Sequence, residues 1–279
     1  MGAYLRPRDL DAALAALAAG NRVVVAGGTD YYPARVGRPL DDDVLDITAI
    51  DGLRAISRTQ GGWRIPALAT WTDIVEAGLP PLFDGLKQAA REIGGVQIQN
   101  AGTVCGNLCN ASPAADGVPN LLALDAQVEL ASRSGRRTLP AEAFVTGNRS
   151  TQRRADELVT ALLIPDAPAA TRSAFLKLGA RRYLVISIVM IGATLTPAAD
   201  GTVARARIAV GACSAVARRL RGLEADLVGQ PIGPGLAAAV KDLHIAALSP
   251  IDDVRASAAY RRDATVTLLR RTLAALAAP

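Results

Sequence analysis

Two short runs carry the clearest chemical signal in this chain. Ala26-Gly27-Gly28-Thr29-Asp30 follows the apolar run Val23-Val24-Val25. About seventy-five residues later, Asn100-Ala101-Gly102-Thr103-Val104-Cys105-Gly106-Asn107 leads into Ala111-Ser112-Pro113-Ala114-Ala115-Asp116. Turns without side-chain bulk let successive backbone N–H groups converge on an anion. Two such loops in one chain point to a clamp on a pyrophosphate, and so to a dinucleotide-like cofactor. The first loop does not fit the Gly-x-Gly-x-x-Gly pattern of a Rossmann fold, because Gly27-Gly28 is followed by Thr29-Asp30-Tyr31-Tyr32-Pro33 and the third glycine is missing.

Other reactive residues do not assemble into a site. Cys105 and Cys109 are four apart, but a metal cluster needs four ligands and only Cys213 remains, so the cysteines read as small buried residues and no metal is expected. His244 is the single histidine, in an expected helix. Ser150 and Thr151 have no histidine near them in sequence and no nucleophile motif. No catalytic acid–base residue is expected.

Stepping outward along the chain, the expected elements deliver these loops. Leu10, Leu14 and Leu17 predict a helix over 8–19, and residues 23–26 a buried strand that ends at the first loop. Strands are expected at 44–47 and 63–68. Thr70 and Asp73 suggest a capped helix to about residue 77, and Pro80-Pro81 starts another that ends at Gly94-Gly95. After the second loop come a short helix at 119–124, strands at 127–132, 137–139 and 157–164, and a Pro-rich linker at 165–170. Three strands at 174–178, 186–196 and 203–212 predict an antiparallel sheet. Helices are expected at about 218–228, 234–247 and 252–277. The fold class is therefore α+β.

Composition narrows the class. Half of the 279 residues are apolar and 20% are charged, as in a globular protein with a substantial core. The longest apolar stretch, 183–195, is too short for a bilayer span. The N-terminus shows no export signal, and three cysteines form no disulfide framework, so a cytoplasmic location is expected. The net charge of +5 is spread over pairs such as Arg136-Arg137, Arg153-Arg154, Arg181-Arg182 and Arg218-Arg219 with no interleaved aromatic platform, so no nucleic acid is expected as partner.

Taken in order, the two loops, Leu121-Leu122-Ala123-Leu124-Asp125-Ala126, the 157–165 strand, Phe175 and Lys177 with Arg181-Arg182, and Ser257-Ala258-Ala259-Tyr260-Arg261 resemble the FAD-binding medium subunit of molybdenum hydroxylases, the family of the carbon monoxide dehydrogenase and xanthine dehydrogenase flavoproteins. The resemblance covers essentially the whole chain. It implies a two-subdomain FAD-binding fold of the PCMH/vanillyl-alcohol-oxidase type over 1–167 (about 1–55 and 56–167). A C-terminal domain over 171–279 would follow, with a three-stranded antiparallel sheet and a three-helix bundle. It implies that Val24, Val25, Ala26, Gly27, Gly28, Thr29, Asp30 and Tyr31 hold the pyrophosphate and nearby ribityl, with Thr103, Val104, Cys105, Gly106 and Asn107 as the other half of the clamp. Asp116 would take cofactor hydroxyls, Ile93 and Val159 would line the cofactor, and Lys177 would approach the flavin ring. With no histidine beside the first loop, the FAD would be non-covalent.

The same resemblance implies partners: a large molybdenum-cofactor subunit and a small subunit with two [2Fe-2S] clusters, plus an external acceptor such as NAD, a quinone or oxygen. Two residues depart from the family's pattern. Cys105 stands where a glycine is usual, which puts a Cβ inside the clamp, and Val185 stands where an acidic residue is expected. Two other readings stay open: a scaffold subunit with degenerate loops, and a stand-alone FAD oxidoreductase. A flavin spectrum and co-purifying chains would separate them.

Overall fold

The computed structural model describes residues 2–278. Strands β1 (Tyr4–Leu5), β2 (Val23–Val25) and β3 (Val44–Asp46) form a parallel sheet in the order β1-β3-β2. Helix α1 (Leu10–Ala19) is capped by Asp9, whose carboxylate accepts from the Ala12 N–H. It buries Ala13, Leu14 and Leu17 against Leu45, Ile47 and Leu53.

A second sheet is antiparallel throughout. It contains β4 (Ser57–Thr59), β5 (Gly62–Pro66), β6 (Gln127–Ser132) and β7 (Gly135–Pro140). A small hairpin, β8 (Val145–Gly147) and β9 (Ser150–Thr151), precedes the central strand β10 (Leu158–Pro165), and the sheet order is β4-β5-β10-β6-β7. Strand β10 has both faces covered. Leu158 joins the α1 cluster, while Val159, Leu162 and Ile164 join the larger core under α2 (Trp71–Glu76), α3 (Asp84–Glu92), α5 (Val104–Asn110), α6 (Gly117–Ala123) and α7 (Ala141–Phe144), with α4 (Val96–Ala101) beside α2 and outside that core. A register shift between Val159 and Ala161 accompanies this change of side.

The third sheet runs β11 (Arg172–Leu178), β12 (Val189–Pro197), β13 (Val203–Gly211), β14 (Arg218–Arg219), all antiparallel. One face carries α8 (Arg221–Leu227) and α9 (Ala258–Ala277), and the other packs on α3 and α6.

This corrects the expected three strands and three helices in two ways. Residues 218–219 add a fourth strand, so α8 starts only at Arg221. The helix expected at 234–247 is two 3-10 turns, Leu236–Ala239 and Asp242–Ile245. Val240 between them is extended (ψ 118°), and the His244 ring nitrogen Nδ1 takes the Lys241 N–H at 3.1 Å, which starts a new turn instead of continuing a helix. The last helix starts at Ala258 because Ser257 caps it and Asp253 holds the preceding turn through Arg255 and Arg261.

The third sheet meets the second layer with no room to spare. A Cβ on Gly192 would lie 2.6 Å from the Asn120 nitrogen and the Pro119 carbonyl carbon, so α6 rests on bare backbone. Gly192→Ala is therefore expected to destabilise the chain by about 1–3 kcal/mol, read as a lower urea midpoint with an unchanged slope.

Candidate functional site

A cleft of about 610 Å³ opens between the first glycine turn and the start of α5. The first turn continues β2. Gly28 has φ +66°, and the Gly28 and Asp30 carbonyls accept from the Tyr32 and Ala34 N–H groups at 3.1 and 3.2 Å. Among the described residues, the backbone N–H groups of Gly27, Gly28, Thr29, Asp30 and Tyr31 donate to no other group of the chain. Tyr31 is fixed from the side: its hydroxyl donates to Asp42 at 3.0 Å and the Arg35 guanidinium lies 3.8 Å over its ring. Burial, with Asp42 beside it, pushes the Tyr31 hydroxyl above its ordinary range.

The second run is mostly helix rather than loop. It spans the end of α4, the junction Gly102-Thr103, and α5. Thr103 caps α5 by accepting the Gly106 N–H at 2.9 Å. It also bridges to Thr70, the cap of α2, where Thr70 and Asp73 form a reciprocal box. The Trp71 N–H donates to the Gly102 carbonyl at 3.1 Å and the Val104 N–H to the Ala69 carbonyl at 3.0 Å. The two helix starts are thus stitched side by side.

Contact between the two runs is direct. A Cβ on Gly27 would sit 1.9 Å from the Ala101 carbonyl oxygen, and one on Gly102 would meet Thr29 Oγ1 at 3.3 Å.

Most of the expected site residues meet here. Val24, Val25, Ala26, Gly27, Gly28, Thr29, Asp30, Tyr31, Ile93, Thr103, Cys105, Gly106, Asn107 and Val159 all line the cleft. Three do not. Val104 is fully buried in the large core. Asp116 and Lys177 pair with each other: Lys177 Nζ donates to Asp116 Oδ2 at 2.7 Å and to the Val185 carbonyl at 3.2 Å. Ser187 Oγ donates to the other Asp116 oxygen at 2.5 Å. Burial pushes the Asp116 carboxyl up, although Lys177 and Ser187 oppose the shift.

The Cys105 side chain joins the large core. The residue lies in the first turn of α5, 3% exposed, with Sγ turned to the Ile65 carbonyl at 3.8 Å. Burial raises its thiol pKa well above the ordinary range and that of Cys109 to about 11, which disfavours the thiolate at both.

The cleft also takes residues with no sequence signal. Arg153 reaches it from the turn after β9, anchored by donating to the Glu157 carbonyl at 2.8 Å. Arg22, Ile98 and Trp71 complete its walls.

Residues 1–167 match the FAD binding domain in molybdopterin dehydrogenase, and residues 174–276 match the CO dehydrogenase flavoprotein C-terminal domain. The chain belongs to the FAD-binding subunits of the molybdenum hydroxylase family. It is 33% identical over 216 residues to the nicotinate dehydrogenase FAD-subunit of Eubacterium barkeri, covering 75% of this chain and 72% of that one. It is 30% identical over 281 residues to the 6-hydroxypseudooxynicotine dehydrogenase complex subunit alpha of Paenarthrobacter nicotinovorans, covering 97% and 93%. Reconstituted CO dehydrogenase from Oligotropha carboxidovorans superposes with a TM-score of 0.90 at 25% identity, over 98% of this chain and 96% of that one.

As a member of this family the chain has a cleft suited to FAD on its own evidence. Among the described residues, the five successive N–H groups of Gly27 to Tyr31, which line it, donate to no group of the chain, and the buried Asn107 Oδ1 has no hydrogen-bond partner. The Lys177–Asp116 pair lies outside the residues that line the cleft. Lys177→Met would leave a buried carboxylate unpaired and is expected to cost about 3–5 kcal/mol of stability. Adding Asp116→Asn should recover most of that loss in denaturant unfolding.

Proposed function

We propose that this chain is the FAD-carrying electron-transfer subunit of a molybdenum-cofactor hydroxylase. The observation that carries the reading is the cleft between the first glycine turn and α5, with its row of unpartnered backbone donors. In this reading the pyrophosphate lies against the N–H groups of Gly27 to Tyr31, opposite Thr103, Gly106 and Asn107. Ile93 and Val159 supply apolar walls, and Arg22 and Arg153 add positive charge. The cofactor is non-covalent.

The cleft takes residues from the first sheet and from β10 of the second, which supports a two-subdomain arrangement of the PCMH/vanillyl-alcohol-oxidase type, with subdomains 1–55 and 56–167. Residues 171–279 form the C-terminal domain. FAD bound in the cleft would supply the redox chemistry that links the [2Fe-2S] clusters of a small subunit, fed by a large molybdenum subunit, to NAD, a quinone or oxygen. The chain's own residues bind and orient. Relatives of similar identity are named for nicotinate and for 6-hydroxypseudooxynicotine, which supports placing substrate choice on a partner chain.

The test is reconstitution. The full chain incubated with FAD and desalted should retain about one flavin per chain, and from its native source it should co-purify with a larger and a smaller subunit. Gly27→Ala should lower FAD affinity about ten- to hundredfold, the equivalent of ~1–3 kcal/mol of overpacking against Ala101. A colourless protein after reconstitution would contradict the reading.

A further inference from the structure

Asp30 puts a carboxylate in the glycine turn that lines the cleft, where an unpaired negative charge would repel a diphosphate. The structure gives it a partner. Arg149, at the tip of the β8–β9 hairpin with φ +57°, donates from Nη1 to Asp30 Oδ2 at 2.8 Å and from Nη2 to Oδ1 at 3.3 Å. The same Nη1 donates to Asn110 Oδ1 at the end of α5, and the Arg149 N–H donates to the Ala111 carbonyl at 2.9 Å. Asp30 and Asn110 line the cleft, whereas Arg149 does not. One guanidinium therefore ties the two walls together without occupying the space between them.

We propose that Arg149 is a positioning residue for FAD, which neutralises Asp30 and holds the first glycine turn against the end of α5. The proposal rests on the FAD reading above. Both side chains of the pair are half exposed, at 51% each, so the contact adds little to folding. Lysine is no substitute, because the contact uses the planar fork: two prongs on one carboxylate and a further acceptor in Asn110.

The experiment compares FAD dissociation constants of the full chain with those of Arg149→Ala, Arg149→Lys, Asp30→Asn and the Asp30→Asn/Arg149→Ala pair, alongside thermal unfolding of each without FAD. Arg149→Ala should weaken FAD binding about ten- to hundredfold, with unfolding of the FAD-free protein little changed. Arg149→Lys should recover only part of that loss. Removing the Asp30 charge as well should restore binding to within about threefold of Asp30→Asn alone, within the usual error of additivity. Where alanine unfolds the hairpin, Arg149→Gln serves in the same cycle.

Unaltered binding in Arg149→Ala would overturn the proposal. So would a double variant as weak as Arg149→Ala, which would make the residue a prop for the hairpin. If the unsubstituted chain binds no FAD, the functional reading fails first and this proposal fails with it.

Discussion

The closeness of Gly27 to the Ala101 carbonyl sets the geometry on which the site depends. With only hydrogen on its Cα, Gly27 lets the first turn lie directly on the α4–α5 junction, where any Cβ would fall 1.9 Å from an oxygen. The junction cannot retreat. Gly102 packs on Trp71 Cδ1, and Gly117 at the start of α6 faces Trp71 Cη2, with a Cβ there falling 2.6 Å away. Trp71 is 1% exposed and belongs to the large core, so the position of the clamp is referred back to that core. Backbone donors held this way are already ordered before an anion arrives, which lowers the entropic cost of binding it.

The C-terminal sheet is joined to this core by two kinds of constraint. One is steric: Gly192 lets β12 meet the backbone of Asn120 and Pro119 in α6, and Gly211 leaves β13 room for the Pro119 ring. The other is ionic. Asp116 at the start of α6 is held by Lys177 of β11 and by Ser187, and the Ser187 carbonyl in turn accepts from Arg255 at 3.0 Å. Arg261, fully buried, donates to the Ile188 and Ala212 carbonyls and to Asp253. Buried pairs of this sort add modest net stability but are sensitive to the loss of one partner. They fix the segment between β11 and β12 relative to α6, next to the layer that carries the clamp.

Much of this was legible in the sequence, and the failures have physical causes. The first glycine turn, its feeding strand, the Thr70–Asp73 box and the α1 stripe of Leu14 and Leu17 are local features, and local chemistry specifies them. The second run was read as a loop because its helices are six and seven residues long and contain or abut glycine. Their existence depends on caps and tertiary stitching, such as Thr103 to Thr70, rather than on propensity. Cys105 looked like an intrusion into the clamp because sequence does not say which way a Cβ points on a helix, and the helix directs it to Ile65. The pairing of Asp116 with Lys177, 61 residues apart, and of Asp30 with Arg149, 119 apart, arises only once three sheets are assembled. In the same way a histidine side chain competing for a backbone N–H, as His244 does, broke a helix that its alanine-rich composition favours.

The central claim is that the backbone N–H groups of the first turn hold a cofactor pyrophosphate opposite the start of α5. Residue-resolved amide hydrogen exchange, recorded without ligand, with FAD and with riboflavin, tests it most directly. The account predicts that FAD slows exchange at Gly27 through Tyr31, and that riboflavin, which lacks the phosphates, leaves them unprotected. Equal protection by both ligands, or protection by FAD confined to residues outside this cleft, would contradict it.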